Sequence, residues 1–238
     1  TKYIKGETIN EYIKKYKKMS KSSHAIDNKI FYIYTCLTKS IAILNEHKIT
    51  HFDLSERNII IDSTDRPIII DYGMSIKTDS IKTEEQIKYE FGNYETKNSK
   101  YLLDLYEPWC IEIILLVHLN QLKTTESINK NHIEIMKSLL DTYINLLKMN
   151  SLHFTQDEIA KYKKSKHILY KSLANKTTLD ASKEILKTST NWDIYAITYI
   201  CLKHLSRREA QQAEQAQHTE TITKTTQMIE KMKSNILQ

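Results

Sequence analysis

Two carboxylates and an amide stand near one another in this chain: Asp53, Asn58 and Asp71. The first two belong to His51-Phe-Asp-Leu-Ser-Glu-Arg-Asn58, and the third opens Asp71-Tyr-Gly73. Between them lie two β-branched runs, Asn58-Ile-Ile-Ile-Asp62 and Pro67-Ile-Ile-Ile-Asp71, joined by the polar turn Ser63-Thr-Asp-Arg66. That pattern predicts a β-hairpin. A hairpin returns its chain, so the loops before its first strand and after its second end on one edge. Asn58 and Asp71 therefore converge, with Asp53 beside them. Asp and Asn oxygens are hard ligands suited to Mg²⁺, which is usually bound by a few protein oxygens plus phosphate oxygens. A remaining carboxylate can accept a proton from an attacking hydroxyl. Gly73 allows the backbone to turn directly after Asp71.

The elements that must position these residues are mostly helical. Ile30, Ile33, Tyr34, Leu37, Ile41 and Leu44 recur at three- and four-residue steps and predict an amphipathic helix over 27–48. Residues 1–18 read as a short extended piece, a turn at Gly6 and a helix start, the last signalled by Thr8-Ile-Asn-Glu11. Residues 74–100 are polar without a period and read as a loop. Helices are expected at 108–120, 131–149, 155–173 and 192–205. The stretch 206–238 is rich in Gln, Thr, Glu and Lys and reads as a polar helix or partly disordered tail. With only 3 Gly and 2 Pro in 238 residues, turns are scarce and a helix-rich domain follows.

Composition narrows the function. The formal charge of +6 comes mostly from Lys and reads as a solvated surface, compatible with acidic partners such as nucleotides. No dense basic block with interleaved aromatics occurs, so nucleic acid is not an expected partner. Cys36, Cys110 and Cys201 are isolated, which points to neither zinc nor a disulfide framework but to a reducing, cytoplasmic setting. The longest apolar run, Cys110–Leu119, is interrupted by Glu112 and His118 and is too short to span a membrane. No signal peptide is seen, and a start at Thr1 suggests a fragment or processed product.

The central motifs resemble those of the protein-kinase superfamily. Its catalytic loop reads H-R-D-L-x-x-x-N and its metal motif D-F-G. Here His51, Asp53, Leu54 and Asn58 match the first at the same internal spacing, and Asp71-Tyr72-Gly73 matches the second with Tyr for Phe. Trp192-Asp193-Ile-Tyr-Ala196 resembles the start of the family's central buried helix, and Tyr3–Ile9 its inter-lobe hinge. The resemblance spans residues 1–205, leaving 206–238 as a tail. It implies a mainly α (α+β) kinase-like C-lobe with a small hairpin at the catalytic edge. It implies ATP and Mg²⁺ as cofactors and a protein substrate. Asp53 would be the catalytic base, and Asn58 and Asp71 the Mg²⁺ ligands that bridge the nucleotide phosphates. Ile60 would lie beneath the adenine, and His51 and Tyr72 would join the hydrophobic stack tying the lobes together. Asp193 would accept hydrogen bonds from the catalytic-loop backbone.

The departures also carry information. Glycines occur only at 6, 73 and 92, so no G-x-G-x-x-G loop is present, and no V-A-I-K-like strand precedes the hinge. The N-lobe is therefore expected to be missing from this chain, whether truncated, supplied by another polypeptide or lost. Phe52 replaces the Arg that pairs with a phosphorylated activation loop, which argues against control of that kind. These features are similar to the divergent kinases of large cytoplasmic DNA viruses. Two other functions fit the same motifs: a pseudokinase-like scaffold or binding module without catalysis, and a small-molecule phosphotransferase with an HxDxxxxN loop. The D-x-G motif and the hinge and central-helix resemblances favour the protein-kinase type over the last.

Overall fold

Thr8 shows how the chain starts its first helix. In the computed structural model its side chain accepts from the Glu11 N–H, and the Glu11 carboxylate accepts in return from the Thr8 N–H. This reciprocal cap opens helix α1 (Ile9–Met19). The structure describes residues 5–20, 22–91, 108–122, 126–149, 152, 154–213 and 222–236. The described residues up to Ser75, together with Asp193–Ile236, form one compact unit, and Ile76–Trp192 form a second.

In the first unit, helix α2 (Ser23–Glu46) buries Ile26, Ile30, Ile33, Leu37 and Ile41 along one stripe. The steps of three and four residues are those the sequence shows. Strand β1 (Gly6–Thr8) precedes α1, and the two-residue strand β2 (Ile49–Thr50) follows α2. Strands β3 (Ile59–Asp62) and β4 (Pro67–Ile69) form the expected hairpin, with Ile59 opposite Ile69 and Ile61 opposite Pro67. Its turn is organised by Asp62, whose carboxylate accepts from Thr64 N, Thr64 Oγ1 and the Arg66 guanidinium. These donors, Thr64 foremost, hold the Asp62 carboxyl well below the usual carboxylate range.

The hairpin is not alone. β1 adds to it antiparallel, giving the order β1-β3-β4 with Gly6 opposite Asp62 and Thr8 opposite Ile60. Gly6 is thus a strand residue and not the expected turn. A Cβ on it would lie 2.4 Å from the Ile61 carbonyl oxygen and 2.5 Å from Ile60 Cγ2. Only a glycine fits so close a backbone approach.

The second unit begins with the short strand β5 (Ile76–Lys77) and helix α3 (Glu84–Phe91). α3 corrects the reading of 74–100 as a loop over its eight residues. Its Ile87 and Phe91 are buried, but a pair one turn apart in a short polar stretch is too weak a period to read. Residues 92–100 lie outside the described part. Helix α4 (Ile111–Leu119) is apolar nearly all round and is buried accordingly. Helices α5 (Lys130–Met149) and α6 (Gln156–Leu173) stand where they were expected. A further helix, α7 (Thr178–Leu186), was not anticipated and is capped by the Thr177 side chain.

Helix α8 (Trp192–Ala213) runs on past 205, and α9 (Ile222–Ile236) buries Ile229, Met232 and Ile236 in the first unit. Described this way, the chain is mostly helical with small antiparallel sheets. Among the described residues no helix is long and apolar enough to cross a membrane.

Candidate active site

The ladder of the hairpin continues one step beyond β3 and β4. Ile70 N–H donates to the Asn58 carbonyl at 3.0 Å. Asn58 and the residue after Ile70, Asp71, are thereby brought to the same end of the sheet, as the hairpin argument requires. The Asn58 side chain turns back along its own loop. Its Nδ2 donates to the Asp53 carbonyl at 2.7 Å and to Asp53 Oδ2 at 3.0 Å. One amide thus orients the Asp53 carboxylate and closes the loop 53–58. Both Nδ2 bonds go to Asp53, so Oδ1 is the atom of this amide suited to an electropositive partner. Asn58 is buried, Asp53 partly so, and Asp71 is exposed.

Two non-glycine residues here adopt left-handed backbone conformations, Phe52 (φ 69°) and Asp71 (φ 62°). Asp tolerates this region because its short side chain bonds locally, and Asp71 Oδ1 does accept from Gly73 N–H at 3.4 Å. Phe has no such relief, so Phe52 must be held from outside. The partner is Asp193 at the start of α8. Its Oδ2 accepts from the His51 N–H at 2.7 Å and its Oδ1 from the Phe52 N–H at 3.2 Å. Hydrogen bonds to a carboxylate contribute about 1.5–3 kcal/mol each, enough to offset the roughly 1–2 kcal/mol of a left-handed residue. Burial pushes the Asp193 carboxyl up to about 6 even though both bonds act to lower it.

His51 is fully buried, and its Nε2 lies 2.9 Å from the Ile70 carbonyl oxygen. A carbonyl only accepts, so Nε2 carries the proton. The opposite nitrogen, Nδ1, is buried without a partner. The ring packs against Tyr72 with centroids 4.8 Å apart at 57°. Tyr72 is half exposed, and its hydroxyl is raised above the usual range by partial burial and by Asp193. Ile60 lies on the sheet face opposite the core, in register with Thr8 on β1 and Ile68 on β4.

The structure therefore brings His51, Asp53, Asn58, Asp71, Tyr72, Gly73 and Asp193 into one linked arrangement, with Ile60 two residues along the strand from Asn58. Two contributors were not legible in the sequence. Gly6 presses the backbone of β1 against Ile60 and Ile61, and its only sequence signal was its rarity. The Ile70 carbonyl orients His51, and a backbone atom leaves no residue-type signature.

The donor set suits Mg²⁺ carried in on phosphates rather than a protein cage. It offers one amide oxygen and one exposed carboxylate, and Mg²⁺ commonly takes one or two protein carboxylates plus substrate oxygens. Among the described residues no group of three or more His, Cys, Asp or Glu is placed to hold a metal.

Residues 5–99, less than half of the chain, match the RIO domain family. No curated protein and no solved structure matches the chain. The matched segment contains the loop 51–58 and the Asp71-Tyr-Gly73 motif but ends well before Asp193.

Proposed function

We propose that this chain is the catalytic-loop half of a protein kinase. It passes the γ-phosphoryl group of ATP to a protein hydroxyl when a phosphate-covering N-lobe is supplied by another segment or chain. The observation that carries this reading is the Asn58 side chain, which orients Asp53 through two bonds while its backbone carbonyl is laddered to the residue before Asp71.

Each residue then has a task. The Asp53 carboxylate, held by Asn58 through Oδ2, takes the proton of the incoming hydroxyl. Asn58 Oδ1 and the Asp71 carboxylate would hold the ion. Bound there, Mg²⁺ supplies the positive charge that neutralises the phosphate oxygens during transfer. Ile60, with Ile68 beside it, offers the adenine an apolar floor. His51 and Asp193 hold the loop, one through the Ile70 carbonyl and the other through two backbone N–H groups. The RIO-domain match supports kinase-like chemistry at this level, and the protein substrate is part of the proposal.

A second reading draws on the scarcity of glycine. With glycines at 6, 73 and 92 alone, the sequence holds no G-x-G-x-x-G motif to cover the phosphates, and the site would then serve as a scaffold or nucleotide-sensing module. Calorimetry of this chain with ATP separates the possibilities. Mg²⁺-dependent binding that Asp71→Ala abolishes supports a formed nucleotide site. Reconstituted with an N-lobe, Asp53→Ala should lose roughly 10²–10⁴-fold of transfer while keeping Mg·ATP binding. Binding indifferent to Asp71, or transfer indifferent to Asp53, would overturn the assignment.

A further inference from the structure

The loop 51–58 is gripped at its start by Asp193, and α8 offers it a second hold. His204 lies eleven residues beyond Asp193 on the same helix, about three turns, so both point to the same side. Ile197, Ile200 and Cys201 fill that stripe between them, all buried. His204 is itself 3% exposed, and its Nε2 lies 3.2 Å from Glu56 Oε1, off the line of an ideal hydrogen bond. Glu56 stands three residues after Asp53 and two before Asn58. We infer that His204 is a positioning residue for the loop 51–58, holding its far end through Glu56 as Asp193 holds its near end.

Two further features fit this geometry. The Cys201 thiol, one turn before His204, is pushed up to about 12, first by burial and then by the Glu56 charge. Lys17 Nζ donates to the His204 carbonyl at 3.5 Å, tying the end of α1 to the same turn. A carboxylate brought against an apolar helix face loses hydration and favours polar neighbours there, and the His204 imidazole lies beside it. Residue 204 also lies outside the segment matched by the RIO domain family. The role rests on reading 51–58 as the catalytic loop, but the contact does not.

Hydrogen exchange of the whole chain tests the hold without requiring activity. His204→Leu keeps volume and removes the ring nitrogens, whereas His204→Gln keeps an N–H donor of similar reach. His204→Leu should speed exchange of the 51–58 amides by about tenfold, while the amides of 195–201 keep their protection. His204→Gln should restore most of the loop protection. Glu56→Ala, made from the partly exposed side so that folding is spared, should loosen the same amides. Loop protection unchanged in His204→Leu and in Glu56→Ala, or Gln behaving as Leu, would overturn the inference. In parallel, Mg·ATP binding should weaken in His204→Leu and recover in His204→Gln. If wild type binds no Mg·ATP while the exchange pattern holds, the kinase reading fails and the positioning contact stands.

Discussion

Asp193→Asn removes a carboxylate that the fold ionises at a cost. The side chain is 2% exposed, and burial lifts its pKa from 3.8 to about 6. Between those values the folded protein keeps a proton that the unfolded chain has released. Stability from this group is therefore complete below the unfolded value and is lost as pH rises through about 6. The interval corresponds to roughly 3 kcal/mol, a large share of the ~5–15 kcal/mol that stabilises a typical domain. Asn does not titrate, so the variant lacks this decline. Urea unfolding of both proteins at about pH 4 and about pH 7 measures it. Wild type should lose roughly 2 kcal/mol relative to the variant across that span, the rest having gone below pH 4. The variant should be the weaker at low pH, where an amide matches the two N–H donors of His51 and Phe52 less well than a protonated carboxyl that can rotate its proton away. Parallel stability profiles would refute the reasoning, because they would mean that Asp193 titrates alike folded and unfolded.

Other outcomes follow from the same geometry. Gly6→Ala forces a Cβ onto the Ile61 carbonyl and Ile60 Cγ2 and should cost about 1–3 kcal/mol in thermal or urea unfolding, with ATP affinity falling because Ile60 must shift. Lys166→Met leaves Glu112 buried without its ion-pair partner, both side chains being 7% exposed, and should destabilise by about 3–5 kcal/mol. Adding Glu112→Leu to Lys166→Met should recover most of that loss, since a buried pair replaced by apolar groups is often close to neutral.

The short-range features were legible because local rules act on neighbouring residues. Thr8 and Glu11 made a cap recognisable three residues apart, the apolar stripe of α2 could be counted, and two isoleucine runs around a polar turn specified a hairpin. Spacing alone indicated that Asn58 and Asp71 would lie at the same end of the hairpin. Elements whose stability comes from distant surfaces were not legible. α3 and α7 are short, and their apolar positions gain meaning only from what packs on them. Gly6 read as a turn because the sequence could not show that a strand fifty-odd residues later would lie against it.

What the sequence determined by itself is the chemistry available: which oxygens, at which loop positions, flank a hairpin. The tertiary structure decided how those groups are held. Asp193 reaches residues 51 and 52 across 142 and 141 positions of chain, and His204 meets Glu56 across a similar distance. No periodicity encodes such a pairing. It exists because one buried helix face, placed by the summed burial of Ile197, Ile200, Cys201 and their neighbours, happens to present a carboxylate at one end and an imidazole at the other to a loop that must bend through a left-handed phenylalanine.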